Sequence, residues 1–357
     1  MIKSKILNIE ALRFIFALAV IGFHVAYKQQ FKVFGFSELH QYLSTGYQAV
    51  IPFFIIAFFF VCLKYKPEQS LVDFVKRKWI RMAPAIIFVT GIFYLVHLFG
   101  FWEFNWAANL EQILLIHDWS DVERWGQAVR PAWWCSEFLL MSVFYIGLRK
   151  TFSEKYIPFI MGVSIFTGWR IFITAAYTKA FMIQAMGPAL FSLGVAYFLA
   201  EAYKKYLLNK DSTNQQNNVL SRSVIGWTFT EILMFYLIVQ KLFFNMASPL
   251  NYILLVSCFV VLFYSFITNR GWLGRLLNHD ISEFFGRYAY GMFICHIFIL
   301  NLCRKVIFPK YTSWVVAHTD VAGVLMLMAI FAMAMFTYHC VEQPIMNAYK
   351  RLKHAKN

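Results

Sequence analysis

Apolar residues in this chain recur in runs of about twenty, broken by short polar stretches. A helix needs roughly 17–25 such residues to cross the hydrocarbon of a bilayer. Ten runs are long enough, at about 8–27, 47–64, 83–101, 131–148, 156–176, 181–200, 224–244, 250–268, 284–304 and 320–341. They fill the chain. The expected fold is all-α, a polytopic membrane bundle of about ten transmembrane helices, forming one integral membrane domain over residues 1–357. Among the connections, 102–130 is long, acidic and aromatic (Glu103, Glu111, Asp118, Asp121, Glu123) and reads as a cover for a site. The stretch near 202–222, containing KDSTNQQNN, reads as a flexible linker.

Composition agrees with this reading. Hydrophobic residues make up 60 % of the chain and charged residues 14 %. A soluble domain carries about 25 % charge, so too few charges are present to cover a surface in water. The net charge of +15 could suggest a nucleic-acid partner, but the cations sit in short loops between apolar runs. Topology is the better explanation, and no nucleic acid is expected. Of the 33 Lys and Arg, 21 fall on the side of the N-terminus, nine on the other side, and three (Arg13, Arg170, Arg287) within spans. That asymmetry, with an even number of spans, places both termini in the cytoplasm. The first run carries Arg13 and His24 and lacks a small-residue cleavage site, so it reads as a retained helix. The six cysteines lack C-x-x-C spacing and read as buried small hydrophobes. No metal site is expected.

Ionisable groups at membrane depth cost about 2.5–3.5 kcal/mol each on insertion scales, so each needs a reason. Arg13 and His24 are eleven residues apart. Eleven steps of about 100° return within about 20° of the same helix face, some 16 Å further along. Small residues Ala17 and Val20 lie between them, leaving room for something slender. The plain alternative is a snorkelling Arg and an interfacial His. Glu137, one to two turns into the fourth span, sits at about the depth of His24. A carboxylate beside an imidazole fixes its tautomer and raises its basicity, as a general base requires. The alternative is a structural pair between Glu137 and Arg170. Lys78 and Arg81, in KRKWIRM, are either topology anchors or a phosphate site at a membrane mouth. His296 reads as a hydrogen bond between helices. Glu342 reads as a salt bridge to Arg287 or Arg81.

Taken in order, several segments resemble the acyltransferase-3 family, the membrane O-acyltransferases of bacterial surface sugars. LNIEALRFIFALAVIGFHV is similar to the family's opening LRGIAALLVVLFH, with Arg13 and His24 at its Arg and His. IPFFIIAFFF resembles FFVLSGF, and FVKRKWIRMAP resembles the basic R-x-x-R–Pro segment, with Lys78 and Arg81 at the basic positions. AWWCSEFLLMSVFY resembles WSLSVEEQFYLL, EFFGRYAYGMFICHIFIL resembles LGRISYSLYLWHWPVL, and YHCVEQPIM resembles YRFIERP. These place Glu137, His296 and Glu342 at matching positions. The chain departs at Ala57-Phe58, Lys78 and Ser136-Glu137.

The resemblance implies O-acetyl transfer from acetyl-CoA, or another acyl-CoA, to a hydroxyl of a surface or lipid-linked glycan. Acyl-CoA is then a substrate, and no bound cofactor is implied. The expected layout puts the donor phosphates near Arg13, Lys78 and Arg81. The pantetheine arm threads toward His24, the general base, which Glu137 orients. Arg170, His296 and Glu342 give support. Direct attack on the thioester and a transient acyl-histidine both fit. The expected location is a bacterial inner membrane, multi-pass, with lipids, acyl-CoA and the acceptor as partners. The competing reading is a transporter or flippase of a glycan or acyl-bearing intermediate, using the same charges as a path. Against it stand the lack of an internal repeat and of paired Gly- or Pro-broken spans. A non-catalytic scaffold accounts least well for Arg13 and His24.

Overall fold

A computed structural model describes residues 6–27, 43–117, 125–175, 181–212, 220–243 and 248–354. All regular elements among them are helical. The principal helices are α1 (Leu7–Gly22), α2 (Val50–Leu63), α3 (Leu71–Leu98), α4 (Trp106–Leu114), α5 (Ala132–Thr151), α6 (Ile157–Ala175), α7 (Phe181–Ser212), α8 (Leu220–Phe243), α9 (Pro249–Thr268), α10 (Trp272–Leu276), α11 (Asp280–Leu302), α12 (Thr319–Thr337) and α13 (Gln343–His354). Nine helical stretches among the described residues are long and apolar enough to cross a membrane. The expected span at 131–148 is α5, which falls outside those nine. Ser136, Glu137 and Ser142 dilute its apolar character, yet all three are fully buried and its 20 residues reach about 30 Å.

Two expected boundaries move. The basic segment KRKWIRM lies inside α3, whose N-cap is Ser70, with its hydroxyl accepting from the Asp73 N–H at 3.4 Å. Lys78 and Arg81 therefore sit on helical turns rather than in a loop. The expected linker is helical through Ser212 and again from Leu220, with 213–219 outside the described residues.

α1 and α11 pack in parallel through the middle of the molecule. Phe14 meets Phe285 with ring centroids 4.8 Å apart, and further along His24 meets His296. Gly286 permits this approach, because a Cβ there would overlap the Cβ and carbonyl of Glu10. The start of α1 is tied to the α9–α10 turn by Asn8, whose Nδ2 donates to the Phe266 and Gly274 carbonyls at 2.8 and 3.0 Å. The far end of the bundle is closed by part of the segment expected as a cover. Asn109 and Gln112, both buried on α4, accept from the backbone N–H groups of Ala128 and Val129. Trp102 stacks on Phe93 and meets Phe298 edge-on at 5.6 Å. Asp118, Asp121 and Glu123 lie outside the described residues.

Candidate active site

The sequence of α1 builds the first wall. Ile9, Leu12, Phe16, Ala19 and Val20 are buried against neighbouring helices. Arg13 takes the adjoining, half-buried position and pairs with Glu10 at 2.7 Å, one turn back. After Gly22 the helix widens into a π-helical turn, Phe23–Tyr27, which carries His24. Such turns store local strain and recur at functional sites. A second π-helical turn, Tyr338–Glu342, carries Glu342.

The α11 helix supplies the opposing group. His296 is fully buried, and its ring centroid lies 5.0 Å from that of His24, with the planes inclined at 41°. Its Nδ1 lies 2.7 Å from the Phe293 carbonyl oxygen. A carbonyl only accepts, so Nδ1 carries the proton and Nε2 keeps a lone pair. Among the described residues that Nε2 has no partner. The expected interhelical hydrogen bond is replaced by one within the helix, and a bare acceptor is left buried near His24. Leaving such an atom unpaired costs about 1–3 kcal/mol.

α5 meets α11 about one turn before His296. Trp134 meets Phe293 at 6.0 Å, and Cys135 Sγ lies 3.8 Å from the Tyr290 hydroxyl. Glu137, fully buried, is therefore on a turn packed against α11 a turn or two before His296. Its expected alternative partner is elsewhere. Arg170 is exposed on α6, a helix that packs on α7, and forms no ion pair with Glu137. The span order suggested that pairing, but the packing of α6 does not bring it about.

Basic residues gather at the other end of α1. Arg81 lies within electrostatic reach of Arg13, Glu10, Glu342 and the Tyr290 hydroxyl. It is surrounded by protein yet keeps much of its own surface free, so it lines a recess. Lys78 sits over the rings of Phe138 (4.7 Å) and Phe74 (5.3 Å) and senses Arg81, Lys64 and Arg77. Partial burial holds the Lys64 ammonium below its usual value; Arg81 adds to the effect and Glu10 opposes it. Cations clustered in this way favour a polyanion in their midst. Glu342 lies within electrostatic reach of Arg81 and Arg13, but among the described residues it forms no salt bridge with either of its expected partners. Arg287 instead contacts Glu283 at 3.4 Å and the Tyr338 ring.

The structure thus forms two clusters: His24 with His296, and Arg13 with Lys78, Arg81 and Glu342. Three members were missed in the sequence. Glu10 was detectable from its spacing of three to Arg13. Lys64 was read as a topology cation only. Tyr290, donating to the Met82 carbonyl at 2.7 Å just before Pro84, falls on the Tyr of the segment LGRISYSLYLWHWPVL, a signal given no role in the sequence reading. Among the described residues no three His, Cys, Asp or Glu side chains gather as a metal would need. The cysteines are free; five are buried as expected, but Cys340 is exposed because its π-helical turn carries it to the outer face.

A family model described as an acyltransferase domain, that of the acyltransferase-3 family, matches residues 6–338. No curated protein and no solved structure matches the chain significantly. The family match covers nearly the whole chain and includes every member of the two clusters except Glu342, which lies just beyond it. The chain belongs to the acyltransferase-3 family and is a multi-pass membrane acyltransferase.

Proposed function

We propose that this protein moves an acyl group, acetyl from cytoplasmic acetyl-CoA, to a hydroxyl of a surface or lipid-linked glycan in a bacterial inner membrane. His24 is the general base. The observation that carries this reading is the contact of His24 with His296, at 5.0 Å between ring centroids, on the helix that also bears Arg13. An imidazole beside a second imidazole whose Nδ1 is held by a backbone carbonyl is suited to take a proton near neutral pH.

The recess at Arg13, Lys78, Lys64 and Arg81 receives the phosphates of the donor. The pantetheine arm follows the small side chains of α1 for the roughly 16 Å from Arg13 to His24. His24 removes the proton from the acceptor hydroxyl as its oxygen attacks the thioester carbonyl. The carbon–sulfur bond then breaks, and the coenzyme A thiolate leaves and is protonated. His296, with Nδ1 held by the Phe293 carbonyl, offers its Nε2 lone pair to the His24 ring and fixes its tautomer. Glu137, on the turn of α5 packed against α11, orients the imidazole.

The test uses purified protein in lipid nanodiscs with radiolabelled acetyl-CoA, together with mass analysis of surface glycans from cells with and without the gene. Transfer of label, and an acetyl increment on one glycan, are expected. Absence of transfer with every acyl-CoA and glycan fraction would remove the reading.

A further inference from the structure

The half of the bundle away from His24 contains another built feature. A cavity of about 870 Å³ opens between α6, α7, α8 and α9. Phe166, Trp169, Phe191, Val195, Trp227 and Tyr264 are among its nearly all apolar walls. Trp227 also borders an adjoining pocket of about 410 Å³, lined by the Ser223 and Thr230 side chains and by Gly226. An apolar groove therefore ends in a chamber with hydroxyl groups, near the first turns of α8.

Arg270 stands at that junction. Its guanidinium carbon is 4.7 Å from the Trp227 ring, 5.2 Å from Tyr264 and 5.8 Å from Tyr206. Two of those rings also line the groove. Among the described residues no carboxylate pairs with it and no side chain or carbonyl accepts from it. The backbone beneath it is fixed. Glu231, fully buried, accepts from the Ser265 hydroxyl at 2.7 Å and from the Gly271 and Gly274 N–H groups at 3.2 Å each. The Trp272 N–H donates to the Thr228 hydroxyl at 2.9 Å. Arg275, bonded to the Asn269 carbonyl at 3.1 Å, adds a second positive charge.

A guanidinium whose faces are covered by rings and whose edge donors are unmet is arranged for a phosphate oxyanion. A free phosphate would have no use for the apolar groove. One molecule carries both parts. We propose that the groove between α6, α7, α8 and α9 binds an anionic phospholipid from the leaflet at this end of the bundle. Its phosphate rests on Arg270 and its acyl chains fill the apolar cavity. The proposal stands apart from the acyl-transfer reading, since none of these residues belongs to that site.

The experiment is native mass spectrometry on the full-length protein, delipidated in a neutral detergent. It is titrated with phosphatidylglycerol, phosphatidylcholine or inorganic phosphate. Phosphatidylglycerol binds in preference to phosphatidylcholine, and inorganic phosphate does not displace it. Arg270→Gln weakens phosphatidylglycerol roughly tenfold and erases the preference. Arg270→Lys, which keeps charge and reach, retains part of it, separating loss of the site from loss of the fold. Val195→Trp, which fills the cavity, weakens both lipids while Arg270 is intact. Equal affinity for the two lipids, displacement by inorganic phosphate, or an Arg270→Gln protein that titrates like the wild type would each overturn the proposal.

Discussion

The two halves of this bundle treat polar groups in opposite ways. The stretch containing α1 is 61 % buried within the protein and that containing α2 78 %, against 22 % around α6 and 11 % around α8, while α7 and α9, at 61 % and 56 %, join the two sides. Helices enclosed by protein can hold ionisable groups at depth, because partners or recesses stand in for water. His24, His296, Glu137 and Arg81 all belong to that enclosed half. Helices facing lipid hold such groups only where donors converge, as on Glu231 of α8, which accepts from Ser265, Gly271 and Gly274. Arg270 stands near the end of α9 among its rings, and the groove beside it is apolar. Chemistry is therefore expected in the first half and lipid recognition in the second.

This contrast fails if changes in the enclosed half leave acyl transfer alone. The largest effect is expected at His24. His24→Ala lowers acyl transfer by about 100- to 10,000-fold while the protein still inserts and elutes as a folded species. Radiolabel transfer in nanodiscs and gel filtration measure the two. Next is Gly286→Leu, which forces α1 from α11 at Glu10; overpacking of this kind costs about 1–3 kcal/mol, seen as a lower unfolding temperature together with reduced transfer. Lys78→Ala combined with Arg81→Ala raises the KM for acetyl-CoA roughly tenfold with a smaller change in kcat, because uniform donor binding is lost. Steady-state kinetics at varied donor concentration would return the cluster to topology anchoring if KM stayed constant. The smallest effect belongs to the lipid-facing half. Phe166→Leu changes transfer and stability within about 0.5 kcal/mol, checked in the same assays.

The span pattern, the helical class and the family were legible because each rests on local chemistry. Runs of apolar residues near twenty require helices in lipid, and the ordered motifs need no tertiary information. The clusters were legible only in part. Eleven-residue spacing put Arg13 and His24 on one face, but nothing in the sequence indicated that His296 would close on His24. That contact depends on the parallel packing of α1 on α11, which Gly286 allows and which no periodicity encodes. The π-helical turns at His24 and Glu342 were equally hidden, since an inserted residue is a property of packing rather than of composition. Arg170 shows the opposite error: adjacency in span order suggested a partner for Glu137, and helix rotation took it to the outer face. Arg270 was counted as a topology cation, and only the fold brings three rings around it.

The most direct test of the proposed reactive pair is a double-mutant cycle at His24 and His296. Initial rates of label transfer from acetyl-CoA are measured for His24→Ala, His296→Ala and the double variant in nanodiscs. If the two rings act as one unit, the double variant is no slower than His24→Ala alone. Losses that multiply would contradict the pairing and return His296 to an independent structural role.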